Sequence, residues 1–169
     1  MADQPKPLDV CTDACVLINL AHVSRLDLLG QIQDMIFHAP QEVLNEVSDP
    51  IQMSKVEEAL ENGVLHRLKI VAVEELESVA EYVEQFGKGE SACLAVAIHR
   101  HWAVATDETK DRRLSREIAS KGIKLINTPG ILLKAIRHGS LSVQAADLIK
   151  VELEANRFKM SFKSFRELV

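Results

Sequence analysis

SACLAVAIHRHW (91–102) runs straight into AVAT (103–106) and then an acid, Asp107, and this junction decides the fold. As a helix the first part is apolar nearly all round, so it must lie inside the protein rather than along its surface. AVAT after it is strand-like. A buried helix feeding a short apolar strand is one half of a crossover unit, and the rest of the chain repeats the pattern.

Towards the N-terminus, LDVCT (8–12) is a β-type run followed by Val16, Leu17, Leu20, Val23 and Leu28 at roughly helical spacing. DMIFHAP (34–40) predicts a second strand, and Pro40 before QEVLNEV suits the first turn of a second helix. A polar helix is expected over 53–62, ending at Gly63, then a strand LKIVAV (68–73) and a helix ELESVAEYVEQF (75–86) that stops at Gly87. GKGE opens the buried helix. Beyond Asp107 the pattern predicts a charged helix over 108–121, a strand KLIN (124–127), helices near 129–138 and 142–155, and a short amphipathic close, SFKSFREL (161–168). Strands alternating with helices imply an α/β protein with a central, mainly parallel sheet covered on both faces, because parallel strands need crossover connections.

The chain has 169 residues, 47% of them hydrophobic, which suits one domain with a full core. No repeat, linker or low-complexity tract divides it, so residues 1–169 read as a single unit, with a core of about 8–139 and a helical extension over 140–169. There is no run of 18 apolar residues and no signal-peptide pattern in MADQPKPLDV, so a cytoplasmic protein without membrane contact is expected. Cys11, Cys15 and Cys93 follow neither zinc-knuckle spacing nor a disulfide framework and read as reduced thiols. The net charge of −5 argues against a general nucleic-acid coating protein. The average conceals an asymmetry: residues 41–90 hold twelve acidic against four basic side chains, and residues 99–138 hold nine basic against four acidic.

In open parallel sheets the chemistry gathers beyond the carboxyl ends of the strands. Asp13 immediately follows LDVCT and Asp107 immediately follows AVAT, so neighbouring strands would make these carboxylates converge. Glu90 stands in the first turn of the buried helix, beside Gly87 and Gly89, and Glu46 follows the second strand by a helical turn or two, with Val43 and Val47 on the apolar side. Each acid alone reads as a helix cap or a solvated charge. Together they occupy the places where a metal site is assembled. Clustered carboxylates repel unless a cation neutralises them, and an all-oxygen set points to Mg²⁺ or Mn²⁺. A zinc site from Cys11, Cys15 and His22 is a minor alternative, and His99 and His101, two apart, point to different sides of a helix.

These segments resemble a PIN domain, of the VapC-like bacterial and archaeal branch catalogued as a domain of unknown function. TDACVLINLAHVSRLDLLG (12–30) resembles that branch's opening, an aspartate before an apolar helix ending in Leu-Asp-Leu-Leu. APQEVLNEV (39–47) and GKGESACLAVA (87–97) resemble the next two motifs and place their acids at Glu46 and Glu90. ATDETKDRRLSREIASKGIKLINTPGILLKAIRHG (105–139) resembles the segment with the last acid, Asp107, and NRFKMSFKSFREL (156–168) the family's ending. The resemblance implies a three-layer α/β/α PIN-like fold and a divalent-metal-dependent endoribonuclease with catalytic Asp13, Glu46, Glu90 and Asp107. Asp13, Glu90 and Asp107, supplemented by Asp111, are the expected metal ligands. Cys15 stands where the family usually has a hydroxyl residue, and a thiol supports a neighbouring carboxylate less well.

Lys110, Arg112, Arg113 and Arg116 follow Asp107 and are expected to guide RNA phosphates, or else to form a solvated helix face. Thr106 and Asn19 are candidates to hydrogen-bond the acids, although an ordinary capping or packing role is the stronger expectation for each. The resemblance further implies an RNA substrate, an antitoxin partner if the chain is the toxin of a type II pair, and a homodimer. Phe158, Phe162 and Phe165 either serve that dimer or cap the core. A catalytically weak PIN domain that binds RNA or protein is the second reading. An aspartyl-phosphate phosphatase is a third, disfavoured because Asp13-Ala14-Cys15 lacks the Asp-x-Asp pair of that class.

Overall fold

The computed structural model describes residues 3–107 and 112–169. Five strands, β1 (Leu8–Thr12), β2 (Met35–Pro40), β3 (His66–Leu68), β4 (Ala103–Ala105) and β5 (Leu125–Ile126), form one parallel sheet in the order β3-β2-β1-β4-β5. β1 is central, with Cys11 opposite His38 on one side and Val104 on the other. The described helices are α1 (Ala14–His22), α2 (Gln41–Leu44), α3 (Pro50–Glu61), α4 (Val73–Tyr82), α5 (Lys88–Arg100), α6 (Arg113–Ser120), α7 (Thr128–Arg137) and α8 (Val143–Ala155). Among the described residues no helix is long and apolar enough to cross a membrane.

The strand order places the helices. From β1 the chain steps to β2 and β3, then returns over them to β4 and continues to β5. Right-handed crossovers therefore put α1 and α3 on one face and α4, α5 and α6 on the other, a three-layer α/β/α fold. α5 is the helix expected to be buried: Gly89 and every residue from Ser91 to Ala97 are inaccessible. It leads into β4 through two residues, so it runs antiparallel to the strands and brings its N-terminus to their carboxyl ends. A second apolar cluster, around Leu28, Leu132, Leu153 and Phe165, joins α7, α8 and the C-terminal residues to the side of the sheet. Ser164 and the backbone of Phe165 are held by Asp147 of α8, so Phe165 is a core residue.

Several elements depart from the sequence reading, each for a local reason. The strand expected over 68–73 lies at 66–68. It is an edge strand whose last partner is Pro40 at the end of β2, so beyond Leu68 there is no backbone to pair with, and only Ile70 of the apolar IVAV turns inward. α3 starts earlier than expected because Asp49 caps it, accepting from Gln52 N at 2.9 Å, with Pro50 in the first turn. α4 ends at Tyr82, and Val83–Phe86 form turns before Gly87. The second helix is only the four-residue α2, so Glu46 stands in the turn beyond it rather than on a long helix. Of the charged helix predicted over 108–121, residues 113–120 form α6; residues 108–111 lie outside the described residues.

Candidate functional site

The strand order reverses between β1 and β4, and the crevice past their carboxyl ends is where such sheets hold their chemistry. Asp13 caps α1 there, and its Oδ1 accepts from Ala14 N at 2.8 Å. Asp13 N donates to Ala105 O at 2.8 Å, which fixes the end of β1 to the end of β4. Asp107 stands two residues beyond that end. Both aspartates are recessed, 4% and 8% exposed.

A short chain of hydrogen bonds joins the two carboxylates. Asp13 Oδ2 accepts from Thr106 Oγ1 at 3.0 Å and from Cys15 Sγ at 3.2 Å, and Cys15 Sγ in turn accepts from Asp107 N at 3.1 Å. Asn19 Nδ2, one helical turn below Cys15 on α1, donates to Asp107 Oδ2 at 2.9 Å. Thr106 and Asn19 thus bond the acids, where the sequence favoured an ordinary capping or packing role. Thr128, at the start of α7, donates its N–H to Asp107 Oδ1 at 2.7 Å and its hydroxyl to Oδ2. The sequence reading missed Thr128; the available signal was a hydroxyl residue directly after the strand KLIN, where a helix begins. Burial raises the Asp107 carboxyl above the ordinary aspartate value, the Thr128 and Asn19 bonds oppose the shift, and the charge on Asp13 adds to it. Burial, with the charge on Asp13, pushes the Cys15 thiol up, so it stays protonated and acts as a hydrogen-bond donor.

Glu90 and Glu46 both accept from backbone N–H groups at the N-terminus of α5. Glu90 accepts from Gly87 N at 3.4 Å, and Glu46 Oε1 accepts from Gly89 N at 2.8 Å. A Cβ at Gly89 would lie 2.8 Å from Glu46 Oε2, so only glycine lets the carboxylate come this close. On α5, Cys93 is three residues after Glu90 and shares its face. Burial pushes the Cys93 thiol up, with contributions from Cys11 of β1 and from Asp13. Glu90 is therefore one turn closer to the carboxyl end of the sheet than a residue that already senses Asp13.

The structure links Asp13 and Asp107 through shared hydrogen-bond partners and places Glu46 and Glu90 each on a backbone N–H at the N-terminus of α5. Among the described residues no group of three or more His, Cys, Asp or Glu side chains is close enough to hold an ion jointly. The zinc alternative with Cys11, Cys15 and His22 finds no support in that arrangement, and His99 is hydrogen-bonded to Ser78. Arg112, Arg113 and Arg116 are exposed at the start of α6, whereas Lys110 and Asp111 lie outside the described residues. The donors around Asp13 and Asp107 are carboxylate, hydroxyl and amide oxygens with a protonated thiol. That set suits a hard divalent cation, and Mg²⁺ in particular binds through one or two carboxylates and keeps several waters. Burial is the main cause that raises the Asp107 carboxyl, and a cation bound beside it would favour the ionised form.

Residues 9–169 match the family model described as PIN domain, and the chain belongs to that family. PIN domains are generally nucleases that use divalent metal ions. No curated protein matches the chain.

Proposed function

We propose that this PIN-domain chain is a cytoplasmic endoribonuclease that hydrolyses RNA phosphodiester bonds with Mg²⁺ or Mn²⁺. The observation that carries the reading is the joined pair of recessed carboxylates, Asp13 and Asp107, at the point where the strand order reverses. Asp13 and Asp107 would hold the ion directly and Glu90 directly or through water, with Asp111 as a further donor. A divalent ion in that place supplies an activated water and stabilises the leaving oxygen. The chain's own residues do the positioning: Thr106, Cys15, Asn19 and Thr128 orient the carboxylates, and Glu46, fixed by Gly89, orients a water at the rim. Lys110, Arg112, Arg113 and Arg116 steer the phosphates of the incoming RNA. The toxin role, an antitoxin partner and a homodimer are part of the same proposal.

The test is cleavage of single-stranded and structured RNAs by the purified protein with Mg²⁺, Mn²⁺ or EDTA, beside folded Asp13→Asn and Asp107→Asn variants. Metal-dependent cutting that both variants lose supports the reading; cutting that survives in either sinks the site assignment. Two observations favour the alternative of a weak PIN domain that binds RNA or protein without cutting it. The partner of Asp13 at position 15 is a thiol, and the Glu46 carboxylate is already engaged by a backbone N–H. No cutting by a folded protein that still retains RNA would decide for that alternative.

A further inference from the structure

We propose that the outer face of α4 is a docking surface for a basic amphipathic helix of a partner protein. The proposal is independent of the catalytic reading.

α4 leaves more apolar surface in solvent than a surface helix needs. Its inward side packs Val79 and the Tyr82 ring on the core and ties down its polar groups: Glu75, 3% exposed, takes Arg100 Nε at 2.5 Å and Nη2 at 2.9 Å, Ser78 bonds His99 at 2.8 Å, and Tyr82 donates to Glu117 of α6 at 3.2 Å. Its outward side is apolar. Val73 is 64% exposed, Leu76 46% and Val83 40%, with Ala80 also exposed and Val71, 68% exposed, just before the helix. Spaced by three and four, positions 73, 76, 80 and 83 make one continuous stripe. Apolar residues grouped in this way mark an interaction site, unlike the single exposed side chains found on any surface.

Beside the stripe runs a second one. Glu74, Glu77 and Glu81 follow the same spacing, and Glu84 continues the row in the turn after α4. None of the four side chains takes part in a hydrogen bond or ion pair among the described residues. Like charges at this spacing destabilise a helix, so the face carries a cost in the free chain that a positively charged neighbour would relieve. The same row decides the occupant. An acidic face is repelled by nucleic acid and by anionic lipid surfaces. A second copy of α4 offers no cation, because VEELESVAEYVE (73–84) contains neither Lys nor Arg. The complementary ligand is a helix with apolar residues three and four apart and Lys or Arg along one flank.

The experiment uses the full chain and a synthetic helical peptide carrying Leu at i, i+3, i+7 and i+10 with Lys along one flank, beside a scrambled peptide of the same composition. Binding is followed by fluorescence anisotropy and by amide shifts in ¹⁵N-labelled protein. The expected result is preference for the ordered peptide, with shifts confined to residues 71–84. Leu76→Ser with Val83→Ser should weaken binding roughly tenfold or more. Glu77→Gln with Glu81→Gln should weaken it about threefold and flatten its salt dependence. Circular dichroism checks that both variants are folded. Equal binding of the scrambled peptide, or unchanged binding by the Leu76→Ser, Val83→Ser variant, overturns the proposal. So does sedimentation showing a wild-type dimer that this variant converts to monomer, since the face would then belong to a second copy.

Discussion

Thr128→Val tests the site where it is most tightly specified. Thr128 is fully buried, and its hydroxyl and N–H hold the two oxygens of Asp107. Valine has nearly the same shape, so the change removes the hydroxyl bond while the 2.7 Å backbone bond remains. A hydrogen bond to a charged group contributes about 1.5–3 kcal/mol, and its loss leaves the buried carboxylate less well solvated. The sign follows from the protonation of Asp107, whose folded-state value is already raised. Losing a bond that lowers it raises it further. Stability is then reduced above the folded value, where Asp107 must ionise, and is little changed under acid conditions, where it is protonated in the folded and unfolded chains alike. Thr128→Val should therefore be less stable by about 1–3 kcal/mol at pH 7 in metal-free buffer and nearly neutral around pH 2.5, well below the ordinary aspartate value of about 3.9. Mn²⁺ affinity should fall about 10–100-fold, and the acid limb of the cleavage profile should move to higher pH. Thr128→Ser restores the hydroxyl and should restore both. Urea titration at the two pH values, calorimetric Mn²⁺ titration and RNA cleavage give the readouts. If Thr128→Val matches wild type in metal affinity and cleavage within a factor of about three, when the expected loss is at least tenfold, Thr128 does not position Asp107.

Cys15→Ser puts a stronger donor beside Asp13 Oδ2, and cleavage at saturating Mg²⁺ is expected to rise about twofold to tenfold; a fall would mean that the thiol is required. Gly89→Ala drives a methyl group to within 2.8 Å of Glu46 Oε2, so the carboxylate must leave. Alanine is the better helix former by about 0.5–1 kcal/mol, so thermal unfolding should show little loss of stability while cleavage drops; unchanged cleavage removes Glu46 from the site. His38 is stacked on Trp102 and bonded to Asp9 at 2.8 Å, and burial lowers its value below that of an ordinary histidine. The unfolded chain then binds the extra proton first, so this contribution to stability is present above about pH 6.5 and is lost as pH falls below it. His38→Gln should flatten the stability curve between about pH 6.5 and pH 5 in urea titrations, and an unaltered slope would refute the assignment.

The legible part of this protein is the part set by local patterning. The all-round apolar helix before AVAT and the short run LDVCT before Asp13 specify a buried crossover helix and a central strand, because no other arrangement hides so much apolar surface. Asp13 and Asp107 could be placed at strand ends from sequence alone for the same reason. Boundaries that depend on a partner were not legible. β3 stops at Leu68 because its neighbour ends at Pro40, and the apolar IVAV carries no sign of that.

The sequence by itself determined the alternating elements, the parallel sheet between helices and the acids at their ends, since side-chain periodicity and caps act within a few residues. Only the tertiary structure decided how those acids are held. Thr128 reaches Asp107 across 21 positions, Gly89 holds Glu46 across 43 and Thr106 reaches Asp13 across 93. The structure also turned Glu75 inward to Arg100 and left Val73, Leu76 and Val83 in solvent, against the usual rule for a surface helix. Such contacts follow from which strands lie side by side, and strand order is a property of the packed sheet that no local stretch of chain encodes.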